Sequence, residues 1–258
     1  MMEDKRVKVI GVIPARLGST RFKAKVIANL LGKPVIQHVW ENAKKARTLD
    51  DLVIACDDES IMRVVQEFGG KAVYTSVDQP SGTDRLAEVV NPLDVDIAVN
   101  IQGDEPLVKP IMIDNLVIAL QEEKQAQMAT VIKKIEDESE LTNSNVVKAV
   151  VDKNGYALYF SRYAIPYNRT GEDEKKKRPT YYKHIGLYAF TKDFLFTFRN
   201  LPKSSLAQAE KLEQLRVLEH GYKIKTVETQ FDTIGVDTPE DLKRAEEEIL
   251  RERETGKS

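Results

Sequence analysis

The sequence has few of the residues that form covalent cross-links, soft-metal clusters or membrane anchors. Among its 258 residues Cys56 is the one cysteine, which excludes an internal disulfide and any cysteine-based metal cluster. No apolar run approaches the ~20 residues that cross a membrane, and the charged N-terminus lacks the apolar core of a signal peptide. We therefore expect a cytoplasmic protein that has no membrane partner.

The sequence also lacks an excess of positive charge. Its net charge is −2 and its calculated isoelectric point is about 6.1. A broad basic face of the kind that binds nucleic acid is therefore not expected, and nucleic acid is excluded as a partner. The length is sufficient for one α/β domain with a full core, so we predict a single domain spanning residues 1–258.

The strongest feature present is a β-branched run followed by a small, cationic loop. Val7 to Ile13 predicts a buried parallel strand, which should end at Pro14 because proline cannot donate to a sheet. The loop that follows contains Arg16, Gly18, Ser19, Thr20, Arg21, Lys23 and Lys25. After the first strand of an α/β sheet, such a loop can direct N–H and guanidinium groups at phosphates. Since neither the Walker pattern nor G-x-G-x-x-G is present, a solvated basic turn remains the alternative.

Strand-like and helix-like segments alternate as far as about residue 135, which predicts a doubly wound, mostly parallel α/β sheet of the Rossmann-like type. Ligands of such sheets bind beyond the carboxyl ends of the strands. Three polar segments follow predicted strands, namely the basic loop, Ser81–Arg85 and Gln102–Pro106. We expect all three to meet in one crevice.

The pattern changes at about residues 145–200, where an antiparallel insertion is predicted. Asn154-Gly155 is a strong hairpin signal between two strand-like runs. We predict that residues 171–178 form a charged loop. This insertion is suited to act as a lid or a dimer contact. Beyond it, Ser204–His220 predicts one amphipathic helix, and Thr238-Pro239 begins a final helix.

Two carboxylates in turns suggest a hard-metal site. Asp104 follows the strand Ile97–Ile101, and Asp237 directly precedes the final helix. Each alone is equally consistent with an ordinary turn residue. Together with Arg16, Arg21 and Lys25 they suggest phosphoryl or nucleotidyl transfer, in which Mg²⁺ takes one or two carboxylates and substrate phosphates.

Eight motifs, in order and spacing, resemble the family of CMP-Kdo synthetases, the 3-deoxy-manno-octulosonate cytidylyltransferases. They are I-P-A-R-x-x-S-T-R (from Ile13), S-G-T-D-R (Ser81), Q-G-D-E-P (Gln102), N-V-V-K (Asn145), A-L-Y-F-S-R (Ala157), Y-K-H-I-G-L-Y-A (Tyr182), L-E-Q-L-R (Leu212) and G-V-D-T-P-E-D-L (Gly235). Any one of these motifs is weak evidence, but the set is specific and extends from the first strand to the final helix.

The resemblance implies transfer of CMP from CTP to the anomeric hydroxyl of the sugar acid Kdo, with release of pyrophosphate, for lipopolysaccharide synthesis. It also implies Mg²⁺ as cofactor and a homodimer formed through the insertion. The residues that it implies for the nucleotide are Arg16, Ser19, Arg21, Lys25, Ser81, Gly82, Thr83 and Gln102. Those implied for the sugar are Arg85, Arg162, His184, Glu213 and Gln214, and those for the metal are Asp104 and Asp237. Lys25, Arg16, Arg21, Asp104 and Asp237 form the implied catalytic set.

One segment departs from the family pattern. The usual L-P-G-K-P appears here as F-K-A-K-V from Phe22, so Ala24 stands where the family has glycine. A position that needs positive φ would make this loss costly, and Lys23 is then an alternative to Lys25. Two rival functions also remain: a nucleotidyltransferase for sialic acid or a sugar 1-phosphate, and a nucleotide-binding protein without catalysis.

Overall fold

The computed structural model describes residues 6–18, 22–169 and 179–255. The chain forms two compact units, one of residues 1–117 with 232–258 and the other of residues 118–231. The predicted insertion at 145–200 lies within the second of these units. Ser19, Arg21 and the charged loop 171–178 lie outside the described residues.

Strands and helices largely alternate along the described part of the first unit. The strands are β1 (Val9–Ala15), β2 (Asn29–Leu30), β3 (Lys33–Pro34), β4 (Asp51–Cys56), β5 (Ala72–Tyr74), β6 (Ile97–Asn100), β7 (Met128–Lys134), β8 (Lys148–Val151), β9 (Ala157–Ser161), β10 (Tyr182–Thr191) and β11 (Ile224–Thr229). The helices are α1 (Val35–Ala43), α2 (Glu59–Glu67), α3 (Gly82–Val90), α4 (Pro110–Glu122), α5 (Ser139–Thr142), α6 (Lys192–Asn200), α7 (Ser205–Glu210), α8 (Leu215–Glu219) and α9 (Pro239–Thr255). Within the described ranges, none has the length and apolarity to span a bilayer.

The first unit contains a parallel sheet in the order β5-β4-β1-β6. Chain order reverses at β1, because β4 and β5 follow on one side and β6 on the other. That reversal places a topological switch point between β1 and β6, where α/β sheets bind ligands. The prediction of an α/β fold with a doubly wound, mostly parallel sheet is confirmed.

Strand β1 extends one residue beyond Pro14, which corrects the expectation that Pro14 ends it. Val12 directs its carbonyl toward β6, where Ile101 N–H donates to it at 2.9 Å. Since alternate residues of a strand face the same neighbour, the nitrogen of Pro14 also points to that side. Pairing with β6 has already ended at Val12 and Asn100, so no ladder partner is lost, while pairing with β4 continues.

The second unit contains the mixed strands. β7 pairs in parallel with β11 and antiparallel with β10, and β8 pairs antiparallel with β10 and β9. The hairpin between β8 and β9 is confirmed: Gly155 has a φ of +75°, and the Asp152 carboxylate accepts hydrogen bonds from Asn154 N–H and Tyr156 N–H at 2.8 Å.

The single helix predicted over 204–220 is wrong. The structure has two short helices, α7 and α8, separated at Lys211, whose φ is +57°. Arg162 Nε donates to the Glu210 carbonyl at 2.7 Å, and the Glu210 side chain accepts from Ser161 Oγ and Arg162 N–H. Contacts with β9 therefore take a carbonyl that a continuous helix would use.

Candidate active site

Lys25 joins two carboxylates that are far apart in the sequence. Its ammonium donates to Asp104 Oδ2 and to Asp237 Oδ1, the latter at 2.6 Å. Burial alone would lower the pKa of Lys25, but Asp104 and Asp237 outweigh it and raise this pKa above its usual value. The lysine is therefore a fixed positive charge between two negative ones. Two carboxylates that were predicted as one site are brought together.

Three backbone segments of the first unit hold this cluster. Asp104 lies in the turn after β6, Asp237 lies two residues before α9, and Lys25 begins a 3-10 turn, Lys25–Ile27. Val236 N–H donates to the Asp104 carbonyl at 2.8 Å, which ties the two acidic turns together. Asp241 accepts from Thr238 N–H at 3.0 Å and so secures the start of α9.

Apolar packing fixes the same three segments from below. Buried side chains from the chain after Lys25, from the segment after β6, and from α9 and the residues before it form one core cluster: Leu30, Val35, Leu107, Val236 and Ala245. Phe22, Ala28 and Ile234 pack against it. Because side chains in a protein core are closely packed, this cluster restricts the movement of the three segments that contain Lys25, Asp104 and Asp237. Electrostatic stabilisation of a transition state depends on such fixed positions.

The glycine of Q-G-D-E-P is required by a close backbone approach. A Cβ on Gly103 would lie 2.7 Å from the carbonyl oxygen of Pro14. Only glycine lets the turn before Asp104 pass so near the end of β1. The end of β1 and the start of this turn therefore meet at the switch point, as the convergence argument predicted.

Three of the predicted nucleotide residues, Ser81, Gly82 and Thr83, lie at the start of α3. Ser81 Oγ accepts from Asp84 N–H at 3.1 Å and donates to Asp84 Oδ2 at 2.7 Å, which is an N-terminal cap. Thr83 is buried in the first turn, and Gly82 lies within ordinary contact of Pro14. Gln102, half-buried, follows β6. Their contacts with a nucleotide stay a prediction.

The basic loop is described only in part. Arg16, directly after β1, is exposed, which leaves its guanidinium free to meet solvent-borne phosphates. Ser19 and Arg21 lie outside the described residues. Lys23 is exposed, whereas the Lys25 side chain is only 13% exposed. Of the two lysines it is Lys25 that joins Asp104 and Asp237.

Arg85 lies inside the first unit in an ion pair. Its side chain is 3% exposed and its Nη2 donates to Asp57 Oδ2 at 2.9 Å, while Nη1 donates to the Thr75 hydroxyl. A contact between Arg85 and a sugar acid stays a prediction. Asp57 was not singled out from the sequence.

The remaining predicted sugar residues lie in the second unit. Arg162 donates through Nη1 to the Ser144 carbonyl at 3.0 Å as well as to Glu210. Glu213 and Gln214 lie in the turn between α7 and α8, and the buried Gln214 Nε2 has no hydrogen-bond partner among the described residues. An unpaired buried amide is costly, which marks Gln214 as a side chain with capacity for a ligand.

His184 is held as a neutral imidazole. Burial lowers its pKa to about 3. Thr130 Oγ1 lies 2.9 Å from His184 Nε2 and 3.0 Å from the Leu187 carbonyl. The Thr130 hydroxyl has one proton, which it can donate either to a carbonyl or to Nε2, so this contact fits both neutral tautomers of His184.

The carboxylate pair fits a divalent cation. Because both carboxylates bond the same ammonium nitrogen, an oxygen of each lies within two hydrogen-bond lengths of the other. Oxygen ligands of this kind suit Mg²⁺, which takes one or two carboxylates and completes its shell with phosphates and water. No cluster of three or more potential ligands occurs in the part of the chain that the structure describes.

Comparison with known proteins decides the family. The family model described as "Cytidylyltransferase" matches residues 10–224. A 3-deoxy-manno-octulosonate cytidylyltransferase from Geotalea uraniireducens is 47% identical over 251 residues, covering 95% of this chain and 100% of that protein. The chain belongs to the 3-deoxy-manno-octulosonate cytidylyltransferase family.

Two further relatives agree with this membership in the cytidylyltransferase family. An enzyme of the same name from Thermodesulfovibrio yellowstonii is 49% identical, covering 92% of this chain and 96% of the relative. A solved structure of CMP:2-keto-3-deoxy-manno-octonic acid synthetase complexed with CTP is 40% identical. Its TM-score is 0.88, and the match covers 95% of this chain and 99% of that structure.

Sequence reasoning missed two carboxylates and an amide of this cytidylyltransferase. Burial and the neighbouring Asp104 raise the pKa of Glu105 to about 7, against a hydrogen bond with Thr233 and the charge of Lys25. Its position next to Asp104 was the available signal. Asp57, after β4, had the same strand-end signal as the other site residues. Asn100, at the end of β6, is 1% exposed and its buried Oδ1 has no hydrogen-bond partner among the described residues.

Proposed function

We propose that the chain transfers CMP from CTP to the anomeric hydroxyl of Kdo and releases pyrophosphate. The observation that carries this proposal is the cluster of Lys25, Asp104 and Asp237 at the switch point of the sheet. Family membership at 47% identity over nearly the whole chain supports the same reaction. The product would supply lipopolysaccharide synthesis in the cytoplasm, where CTP is available.

The reaction is an in-line displacement at the α-phosphorus. The sugar hydroxyl oxygen bonds to phosphorus while the bond from phosphorus to the bridging β-phosphate oxygen breaks. Pyrophosphate leaves with the bonding electrons, and the hydroxyl proton is lost to water. Cations that oppose the negative charge developing on pyrophosphate lower the activation barrier of this step. The reaction therefore needs cationic side chains that bind the phosphates and carboxylates that hold a metal ion.

We assign the triphosphate to the basic loop. Arg16 is exposed at the end of β1, where it can reach phosphate oxygens. Lys25 supplies a positive charge, because the nearby carboxylates raise its pKa and keep its amine protonated. Lys25 holds both carboxylates when no other cation is near, and we propose that it turns to the triphosphate when a cation replaces it. Arg21 joins this set by its resemblance to the family loop.

Asp104 and Asp237 are the residues that we propose to hold Mg²⁺. When bound, Mg²⁺ neutralises phosphate charge and lowers the pKa of a coordinated hydroxyl. The Asp104 carbonyl accepts from Val236 N–H, so Asp104 is fixed relative to the turn that contains Asp237. Asp237, with 38% of its side chain exposed, is the more accessible carboxylate.

A homodimer formed through the second unit is also proposed. Three apolar or aromatic side chains of the predicted insertion are exposed: Leu158 at 58%, Tyr163 at 79% and Tyr167 at 86%. Side chains of this type are enriched in protein interfaces, because they bury large areas at small entropic cost.

The proposed reaction is tested by following pyrophosphate release with Mg²⁺ over a panel of nucleotides and acceptors. The panel pairs CTP or UTP with Kdo, with sialic acid and with a sugar 1-phosphate, and mass spectrometry identifies the product. We expect a high rate of pyrophosphate release only for the pair of CTP and Kdo. Equal rates with UTP, or none with Kdo, would contradict the proposal; turnover with sialic acid would favour the nearest rival.

A further inference from the structure

Asp57 connects a buried guanidinium to the backbone of the basic loop. Its Oδ2 accepts from Arg85 Nη2 at 2.9 Å and its Oδ1 accepts from Leu17 N–H at 3.2 Å. The Asp57 side chain is 12% exposed and the Arg85 side chain 3% exposed. Both oxygens of one carboxylate are therefore engaged, one by the interior of the unit and the other by the loop.

The orientation of Asp57 is fixed by what lies behind it. Arg85 also donates to the Thr75 hydroxyl, and that hydroxyl donates to the Cys56 carbonyl at 3.0 Å. Cys56 is the last residue of β4, so the network joins α3 to the carboxyl ends of β4 and β5. Since a buried guanidinium requires a counter-charge, Arg85 holds the Asp57 carboxylate at a single position.

Leu17 is held from both sides. Its N–H is bound by Asp57, and its carbonyl accepts from Ala24 N–H at 3.3 Å. Ala24 is directly followed by Lys25, and Arg16 directly precedes Leu17. Arg16 and Lys25, which we assign to the triphosphate, are therefore each adjacent in sequence to a residue of the hydrogen-bonded pair Leu17 and Ala24.

We infer that Asp57, oriented by Arg85, is a positioning residue that anchors the basic loop for CTP. The inference rests on the proposed function, because it assigns the loop to the triphosphate. Removal of the Leu17 anchor should leave the loop able to fold but with Arg16 and Lys25 less well aligned. Misalignment of groups that act in the transition state lowers the rate more than it lowers folding stability.

Two double variants separate the anchor from the buried charge. Asp57→Asn/Arg85→Met keeps one acceptor oxygen for Leu17 N–H, and Asp57→Ala/Arg85→Met keeps none. Neither variant contains an uncompensated buried guanidinium, so both are expected to fold. The single Asp57→Asn change is less informative, because Arg85 and Leu17 are both donors and an amide has one acceptor oxygen.

The readout is kcat/KM for CTP, with KM for Kdo measured on the same preparations. We expect the Asn-containing double variant to retain kcat/KM at least tenfold above the Ala-containing one, with similar melting temperatures. Equal kcat/KM values in the two variants would overturn the inference. So would a large rise in KM for Kdo in both with kcat/KM for CTP intact, because Arg85 would then contact the sugar rather than orient Asp57.

Glu252→Ala is the matched control. Glu252, in α9, pairs with Lys109, which directly precedes α4, at 2.6 Å within the first unit, and the two side chains are 21% and 14% exposed. This variant should lower the melting temperature without changing kcat/KM for CTP. A fall in kcat/KM comparable to that of the Ala-containing double variant would show that any lost ion pair has this effect, and would overturn the inference.

Hydrogen exchange at the Leu17 amide decides the anchor without any assumption about substrate. We expect the fastest exchange in the Asp57→Ala/Arg85→Met variant. Its Asp57→Asn counterpart should exchange more slowly than this but faster than wild type, because the acceptor remains while its orientation by Arg85 is lost. Equal exchange in the two would overturn the anchor. A wild-type protein inactive with CTP and Kdo would instead refute the proposed function, while this comparison would still decide the anchor.

Discussion

At the residue scale, the charged groups of the site were predictable and the way they meet was not. Lys25, Asp104 and Asp237 were identified because carboxylates and cations follow predicted strands or precede a helix. Lys25 and Asp237 are 212 positions apart in the sequence. Their contact therefore depends on how distant parts of the chain pack together. Local patterns contain no such information.

Ala24 shows where local reasoning was sufficient. The sequence raised the question of whether the position of the family glycine needs positive φ, and Ala24 has a φ of +57° and a ψ of +28°. The left-handed conformation costs an L-residue roughly 1–2 kcal/mol. Ala24 thus adopts the positive φ that glycine would adopt without strain.

Ala24→Gly should therefore stabilise the protein. Relief of the left-handed strain exceeds the extra entropy that glycine gives the unfolded chain, leaving a gain of about 0.5–1 kcal/mol. Urea unfolding measures this difference. Gly32→Ala is the mirror control, since Gly32 has a φ of +83° with open space around its Cβ position, and it should destabilise the protein. A lower free energy of unfolding in Ala24→Gly than in wild type would contradict the claim that Ala24 is strained.

The two lysines of the altered segment should behave differently. Under saturating CTP and Kdo, Lys25→Ala should lower kcat by at least ~100-fold, the scale of losing one preorganised electrostatic partner. Lys23→Ala should change kcat by less than about threefold, because Lys23 is exposed and Lys25 is the lysine that joins the carboxylates. The reverse order would mean that Lys23 has the role assigned to Lys25.

At the element scale, strand and helix positions followed from periodicity wherever an element is amphipathic or fully buried. Strands β1 and β6 are short apolar runs, and sequence signals located both within about two residues. α6 was overlooked because its sequence, K-D-F-L-F-T-F-R-N, is rich in aromatic residues of low helix propensity. Its buried residues, Phe194, Leu195 and Phe198, have the spacing of a helix.

The break between α7 and α8 was not predictable from periodicity either. Leu206 lies in the segment predicted as one amphipathic helix, yet it is 38% exposed. At the break, Glu210 accepts hydrogen bonds from Ser161 and Arg162. Tertiary contacts of this kind override the local preference of the segment for a continuous helix.

Strand β10 should make the stability of the protein sensitive to acid. His184 has a folded-state pKa of about 3 and a usual unfolded value of about 6.5. Between these values the unfolded chain binds the extra proton, so the stabilisation present above about pH 6.5 is lost as the pH falls toward 3. The slope that this one group adds is at most ~1.4 kcal/mol per pH unit.

His184→Gln should reduce that acid sensitivity. The free energy of unfolding, measured by urea titration from roughly pH 6 to pH 4, should fall less steeply in the variant by up to about 1 kcal/mol per unit. Glutamine keeps a polar side chain near Thr130 but has no proton to gain. Parallel profiles for variant and wild type would contradict a neutral, buried His184.

At the scale of the whole molecule, the sheet type and the convergence of strand ends were predicted from the sequence because both follow from chain order. β1 lies between β4 and β6, so the loops after β1 and β6 must flank the point where the order reverses. Assembly does not follow from chain order, because an interface depends on surfaces contributed by another copy.

The proposed homodimer is tested by light scattering at micromolar concentration. We expect a mass near twice 29.2 kDa. Tyr163→Asp and Tyr167→Asp place charge on the exposed insertion and should shift the mass toward the monomer, because buried unpaired charge opposes association. A monomeric wild-type protein would contradict the proposal.

The central claim, that the carboxylates at Lys25 take part in the chemical step, is tested most directly by kcat of Asp237→Asn with saturating CTP, Kdo and Mg²⁺. Asparagine keeps the shape of the turn before α9 and removes the charge. If Asp237 acts in the transition state, kcat should fall at least ~100-fold while the melting temperature and CTP affinity stay close to wild type. Each tenfold fall corresponds to ~1.4 kcal/mol of barrier. A near-normal kcat in folded protein would contradict the account and remove Asp237 from the site.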